Sequence, residues 1–139
     1  MYILGINAYH GDSAACLIKD GELVSAAEEE RFRRVKHWAG FPLKSIEYCL
    51  NNSGISLSDV DHIAINQDPY ANFSKKLSYL FKNKINLNLL VSRVKNKSKR
   101  LNLSQQLHEN IELGKFKGKF HKVEHHMAHL SSAFHVSPI

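Results

Sequence analysis

Apolar and polar positions along this chain change rhythm three times. Residues 2–7 (YILGIN) and 13–18 (SAACLI) are short apolar runs joined by the polar bend AYHGD, and residues 23–27 form a third run. Runs of this length bounded by turn residues predict strands. Lys19-Asp20-Gly21-Glu22 between the second and third predicts a tight hairpin, because Asp-Gly supplies the positive φ such turns need. Residues 28–41 (EEERFRRVKHWAGF) carry dense charge with little periodicity and predict a loop, or a short helix followed by a loop. A helix is predicted from Pro42, a favoured first-turn residue, to Gly54, with Leu43, Ile46, Cys49 and Leu50 on one face. Ser58 to Asp61 predicts a turn or a single helical turn. His62 to Asn66 predicts a buried-type strand, ended by Asp68-Pro69.

Helical spacing then takes over. Leu77, Leu80, Phe81 and Ile85 form one stripe, Leu87, Leu90, Val91 and Val94 another, and Leu103, Leu107 and Ile111 a third, so residues 70–113 are expected to be mostly helical. Gly114 and Gly118 end that run. Phe120 to Glu124 predicts a short strand and His125 to Val136 a helix that stops near Pro138. The order is β-β-β-α-β-(α insertion)-β-α. It is an α/β pattern in which a mixed sheet opens with a three-stranded meander and carries helices packed on it, with a helical insertion over about 70–118. No closing element follows Ser137-Pro138-Ile139, so the expectation is the front part of a longer protein with a sheet edge to be covered. Self-association through that edge is left open.

Composition narrows the class. The 139 residues are 43% hydrophobic and 23% charged, ordinary for a soluble globular domain. No apolar run approaches the roughly 18 residues of a membrane span, and no signal-peptide pattern opens the chain. Cys16 and Cys49 sit in apolar segments as reduced core residues, which sets a cytoplasmic expectation. The net charge is +6, yet residues 75–100 hold nine Lys and Arg and no acid, so the remainder stands at −3. A basic nucleic-acid-binding module built on 75–100 is therefore an alternative reading. Only Tyr79 and Phe81 interleave it with aromatics, which disfavours single-strand binding, and a solvated helical face accounts for such a run more simply.

Three segments carry candidate chemistry. Five of the nine histidines lie between residues 121 and 135. On a helix, His125 and His129 share a face one turn apart, where two neutral imidazoles can hold one divalent ion. His126 points about a third of a turn away. A third ligand must come from elsewhere. The bend around His10, Gly11, Asp12 and Ser13 has small side chains that let backbone N–H groups approach a phosphate, and His10 can donate or transfer a proton. No P-loop or dinucleotide fingerprint is present. In EEERFRRVKH, Lys36 suits a point charge on a phosphate, and arginines such as Arg31 suit bidentate clamps. Mutual pairing of these surface charges is the plainer account.

In this order, ILGINAYHGDSAACLIKDGELVSAAEEERFRRVKH, then FP and a helix ending YCL, then VEHHMAHLSSAFHVSP resemble the N-terminal part of the ATP-dependent O-carbamoyltransferases, which include nodulation-factor and antibiotic-tailoring enzymes. The resemblance covers about residues 2–66 and 119–138. It implies the first half of an actin-like ATPase domain, of ribonuclease H-like class. It also implies the movement of a carbamoyl group from carbamoyl phosphate, through carbamoyl adenylate, to a hydroxyl of a sugar or natural-product acceptor. His125 and His129 match the family's metal ligands, usually assigned to iron, with Mg²⁺ accompanying ATP. His10 and Lys36 match positions that hold carbamoyl phosphate and assist its hydrolysis, with Asp12, Ser13 and Arg31 as further substrate-binding candidates. Where the superfamily often has an acidic residue in its first phosphate loop, this sequence has Asn7. The family's later phosphate loop and acceptor domain lie beyond Ile139, so the 139-residue piece is expected to be inactive alone. An actin-like nucleotide binder that transfers nothing is the other alternative, and it would not need the EHH-x-AH block.

Overall fold

A computed structural model describes residues 1–68, 107 and 115–135. The chain divides into two compact units, residues 1–68 with 110–139, and residues 69–109. The fold below is that of the first unit. Of the predicted insertion, only Leu107, which is helical and buried, and 115–118, which carry no helix, lie among the described residues; its basic segment 75–100 lies outside them.

Five strands form one sheet in the order β3-β2-β1-β4-β5. β1 (Tyr2–Asn7), β2 (Ala14–Lys19) and β3 (Glu22–Glu28) make the predicted antiparallel meander. Its second turn places both Asp20 (φ 52°) and Gly21 (φ 92°) in positive φ, as a two-residue hairpin requires. β4 (His62–Ile65) and β5 (Lys119–Lys122) run parallel to β1 on its other side. β5 ends two residues earlier than the pattern suggests. Glu124 instead starts the next helix, because its carboxylate accepts from Met127 N at 3.0 Å and caps the first turn.

The two faces of the sheet differ. Leu4 and Ile6, Ala15 and Leu17, and Ile63 and Ile65 occupy alternate positions and are buried. Helix α2 (Leu43–Asn52) packs across β2 and β3 and brings Ile46, Cys49 and Leu50 to this core. The opposite face carries small residues, Gly5, Cys16, Ala26 and Ala64 among them, and lines an open cleft. A side chain on Gly5 would meet Cys16 Sγ at 2.7 Å, so the close approach there needs glycine.

Between β3 and α2 the sequence leaves a loop or short helix open, and the short helix is found. α1 (Glu29–Arg33) ends at Arg34, whose φ of 58° reverses the chain. Glu29 in α1 is fully buried. Its carboxylate accepts from Arg33 Nε (2.6 Å), Ser45 N (2.9 Å) and Ser45 Oγ (3.0 Å), with Lys44 N at 3.4 Å. The first turn of α2 is thus capped by a carboxylate from a neighbouring helix, since Pro42 at the cap position offers no side-chain acceptor. The last helix, α3 (His125–Phe134), has no buried residue. Of its small residues, Ser132 and Ala133 are exposed and Ala128 and Ser131 are half-buried.

Candidate functional site

β1 and β4 lie side by side and parallel, yet their chain connections leave in opposite directions across the sheet. A crevice at the carboxyl ends of strands so arranged is where ligands bind in open α/β sheets. Asn7 ends β1, Asn66 follows β4, and α3 begins three residues after β5, so all three reach that edge. The cleft there has a volume of about 1130 Å³. Its floor is the small-residue face of the sheet, and one wall is α3 with His125, His129 and Ser132.

The helix sets the histidine pair as the i, i+4 spacing predicts. His125 Nε2 and His129 Nε2 are 3.1 Å apart, with ring centroids 4.5 Å apart and planes nearly perpendicular. Two imidazole nitrogens bound at about 2.0–2.1 Å to one ion would lie about 2.8–3.4 Å apart for octahedral to tetrahedral angles. The separation of the two nitrogens therefore suits a shared divalent ion. No third His, Cys, Asp or Glu joins them among the described residues. His126 turns the other way and pairs with Glu124 Oε1 at 2.7 Å, which holds the Glu124 carboxyl below its usual range.

The bend between β1 and β2 comes to the same place. The His10 ring stacks on His125, with centroids 4.4 Å apart and planes 15° from parallel. Asn7 Nδ2 donates to Asp12 O (2.9 Å), and Asn66 Nδ2 donates to Asn7 Oδ1 (2.6 Å). Asn66 Nδ2 also lies 3.5 Å from His125 Nδ1. Asn7 is marked in the sequence only as standing where the superfamily often has an acid, and Asn66 does not stand out by pattern. The only available signal for Asn66 is a polar residue at the carboxyl end of a buried-type strand.

The bend is strapped to the basic loop that follows α1. Tyr9 N donates to Gly40 O (3.1 Å) and Ser13 N to Trp38 O (3.0 Å). Ser13 is buried, with Oγ 2.8 Å from Gly40 O and 3.2 Å from His10 O. Asp12 Oδ1 meets His37 Nδ1 at 2.8 Å, and the His37 pKa is raised by that hydrogen bond and by the carboxylate charge. Tyr9, Asp12, Arg34 and His37 all hold φ between 54° and 61°. Left-handed backbone at side-chain-bearing residues costs of order 1 kcal/mol each and gathers where structure is held for function. The guanidinium of Arg33 lies 4.4 Å over the Trp38 ring.

The predicted residues thus separate. His10, His125 and His129 are brought together, and Arg31 lines the cleft while lying 3.5 Å from Glu28. Asp12 and Ser13 are engaged in holding the bend. Lys36 is exposed on the loop, outside the cleft lining. Cys16 lies on the cleft floor instead of in the core, and burial pushes its thiol pKa up. No helix among the described residues is long and apolar enough to cross a membrane.

Comparison with known proteins bears on the family alone. The family model described as carbamoyltransferase N-terminus matches residues 2–139. The uncharacterized protein sll1178 of Synechocystis sp. is 42% identical over 99% of this chain and 23% of its own length. The nodulation protein NolNO of Sinorhizobium fredii is 48% identical over 42% of this chain and 8% of its own. The chain therefore spans about a quarter, and under a tenth, of these relatives. YeaZ from Pseudomonas aeruginosa overlaps 49% of this chain and 29% of its own at a TM-score of 0.35 and 20% identity, too loose to define a fold. With its whole length matched from Tyr2 onward, the chain belongs to the carbamoyltransferase N-terminus family.

Proposed function

We propose that this chain is the N-terminal part of an ATP-dependent O-carbamoyltransferase with an actin-like, ribonuclease H-like domain. The observation that carries the reading is the 3.1 Å separation of His125 Nε2 and His129 Nε2 beside a bend strapped to a basic loop. Family membership and a sheet that opens on a three-stranded meander support it.

The reaction has three stages. Carbamoyl phosphate and water give carbamate and phosphate. Carbamate attacks the α-phosphorus of ATP, giving carbamoyl adenylate and releasing pyrophosphate. An acceptor hydroxyl then takes the carbamoyl group, releasing AMP. The His125–His129 pair would hold a divalent ion, iron by the family resemblance, which when bound supplies a Lewis acid for the nucleotide's phosphate oxygens, with Mg²⁺ accompanying ATP. His10, fixed by its stack on His125, presents its ring to the bend, where it orients carbamoyl phosphate and moves a proton. Lys36 and Arg31 offset phosphate charge. Asp12 and Ser13 shape the bend so that its backbone faces the anion. The cleft has room for a nucleotide.

The test uses the full-length protein. Labelled pyrophosphate should enter ATP only when carbamoyl phosphate is present. His125→Ala and His129→Ala should each lower bound iron and abolish carbamoyl transfer, and full metal content in both variants rejects the ligand assignment. Lys36→Ala should lower kcat/KM for carbamoyl phosphate by 10-fold or more, of the order expected for loss of one charge-assisted contact. An unchanged dependence on carbamoyl phosphate removes Lys36 from the site.

A further inference from the structure

Asn66 sits one residue past β4, with its amide between the bend and the histidine pair. Nδ2 donates to Asn7 Oδ1 at 2.6 Å and lies 3.5 Å from His125 Nδ1. Oδ1 is buried and has no hydrogen-bond partner. A buried amide oxygen left unpaired costs roughly 1–3 kcal/mol and calls for a reason. The orientation is imposed by Asn7. Its own Nδ2 donates to Asp12 O, so it can present only Oδ1 to Asn66.

We propose that Asn66 is the positioning residue of His125 and couples the histidine pair to the bend. The proposal rests on reading His125 and His129 as a ligand pair. In the ion-free pair the Asn66 amide faces His125 Nδ1 as a donor, so the ring proton stays on Nε2 and is given to His129 Nε2 at 3.1 Å. When His125 Nε2 serves as a ligand atom, the single ring proton resides on Nδ1 and needs an acceptor. A half-turn of the Asn66 amide supplies one, the orphaned Oδ1. That turn also sets Oδ1 against Asn7 Oδ1, so Asn7 turns with it and releases Asp12 O. Occupancy of the pair is thereby passed to the bend that carries His10.

Ring ¹⁵N NMR of the histidine-labelled full chain tests this without turnover. Metal-free protein should show His125 protonated on Nε2 and bare at Nδ1. Asn66→Ala, and Asn66→Leu, which keeps the shape, should both lose that preference. Zinc titration should show affinity falling about 10- to 100-fold in both variants, the usual effect of removing a ligand's outer partner. An unchanged ring pattern in both overturns the proposal, and so does an altered pattern with unchanged zinc affinity. The ligand reading fails separately, if His125→Ala binds zinc as the parent does. A shifted ring pattern in a protein that binds no zinc upholds Asn66 as the residue that sets the His125 tautomer and rejects the ligand pair.

Discussion

Helices α2 and α3 are both ten residues long and take opposite parts. α2 buries Ser45, Ile46, Cys49 and Leu50 and is capped by a carboxylate from another helix. α3 buries nothing and caps itself with Glu124. Its apolar residues Met127, Leu130 and Phe134 are 54%, 65% and 78% exposed. α2 is held by the hydrophobic effect and a buried polar clasp, so its inward side chains are spent on stability, while the exposed Tyr48 reaches the cleft lining. α3 is held by its first turn and by the strand before it, which leaves its histidines free to face the cleft. The difference teaches that in this unit the sheet's packed face and its cleft face are served by different helices, with only Tyr48 of α2 reaching the cleft lining.

Substitutions can break that contrast, and the largest effects should fall on the α2 side. Glu29→Ala leaves Ser45 N and Oγ buried without an acceptor and should cost about 3 kcal/mol, seen as a lowered urea midpoint. A loss near zero would mean that Glu29 does not pin α1 to α2. Ile46→Ala removes a fully buried side chain from the sheet core and should cost about 2–4 kcal/mol in the same assay.

An intermediate effect is expected at the strand that leads into α3. A Cβ on Gly118 would stand 2.1 Å from Asp61 O, and Lys119 N donates to that same oxygen. Gly118→Ala should release β5 locally. Hydrogen exchange should then speed up over residues 119–123 while β1–β3 keep their protection, and uniform exchange across the sheet would contradict this.

Leu130→Ser with Phe134→Ser should change stability by less than about 0.5 kcal/mol each, because both side chains already meet water. A loss of the size expected at Ile46 would show that α3 is packed after all.

The smallest effect concerns the clasp between Asp12 and His37. Its folded pKa is raised above the ordinary 6.5 by Asp12, so its support for the bend is complete below that value. Support is then lost as pH climbs through the higher folded pKa. A proton NMR titration should return His37 toward 6.5 in Asp12→Asn, and an unmoved midpoint would remove the clasp.

Much of this was legible. The three-stranded meander, the Asp20-Gly21 hairpin and the buried face of α2 follow from local periodicity, which depends on neighbours a few residues away. So does the one-turn spacing of His125 and His129. Ser13 and Lys36 read alike as polar loop residues, and only packing separates the buried hydroxyl from the exposed amine. Glu29 was hidden among three consecutive acids, since nothing in a charge run says which member turns inward.

Residue type and spacing by themselves determined the strands, the helix that carries the histidines and the small side chains of the cleft floor. The tertiary structure alone decided that His10 stacks on His125, 115 positions away, and that Asn7 and Asn66, 59 apart, join their amides beneath that pair. Those contacts arise because β1 and β4 lie side by side in the sheet and bring their carboxyl ends together. Strand order is a long-range outcome of burial, and no local pattern encodes it.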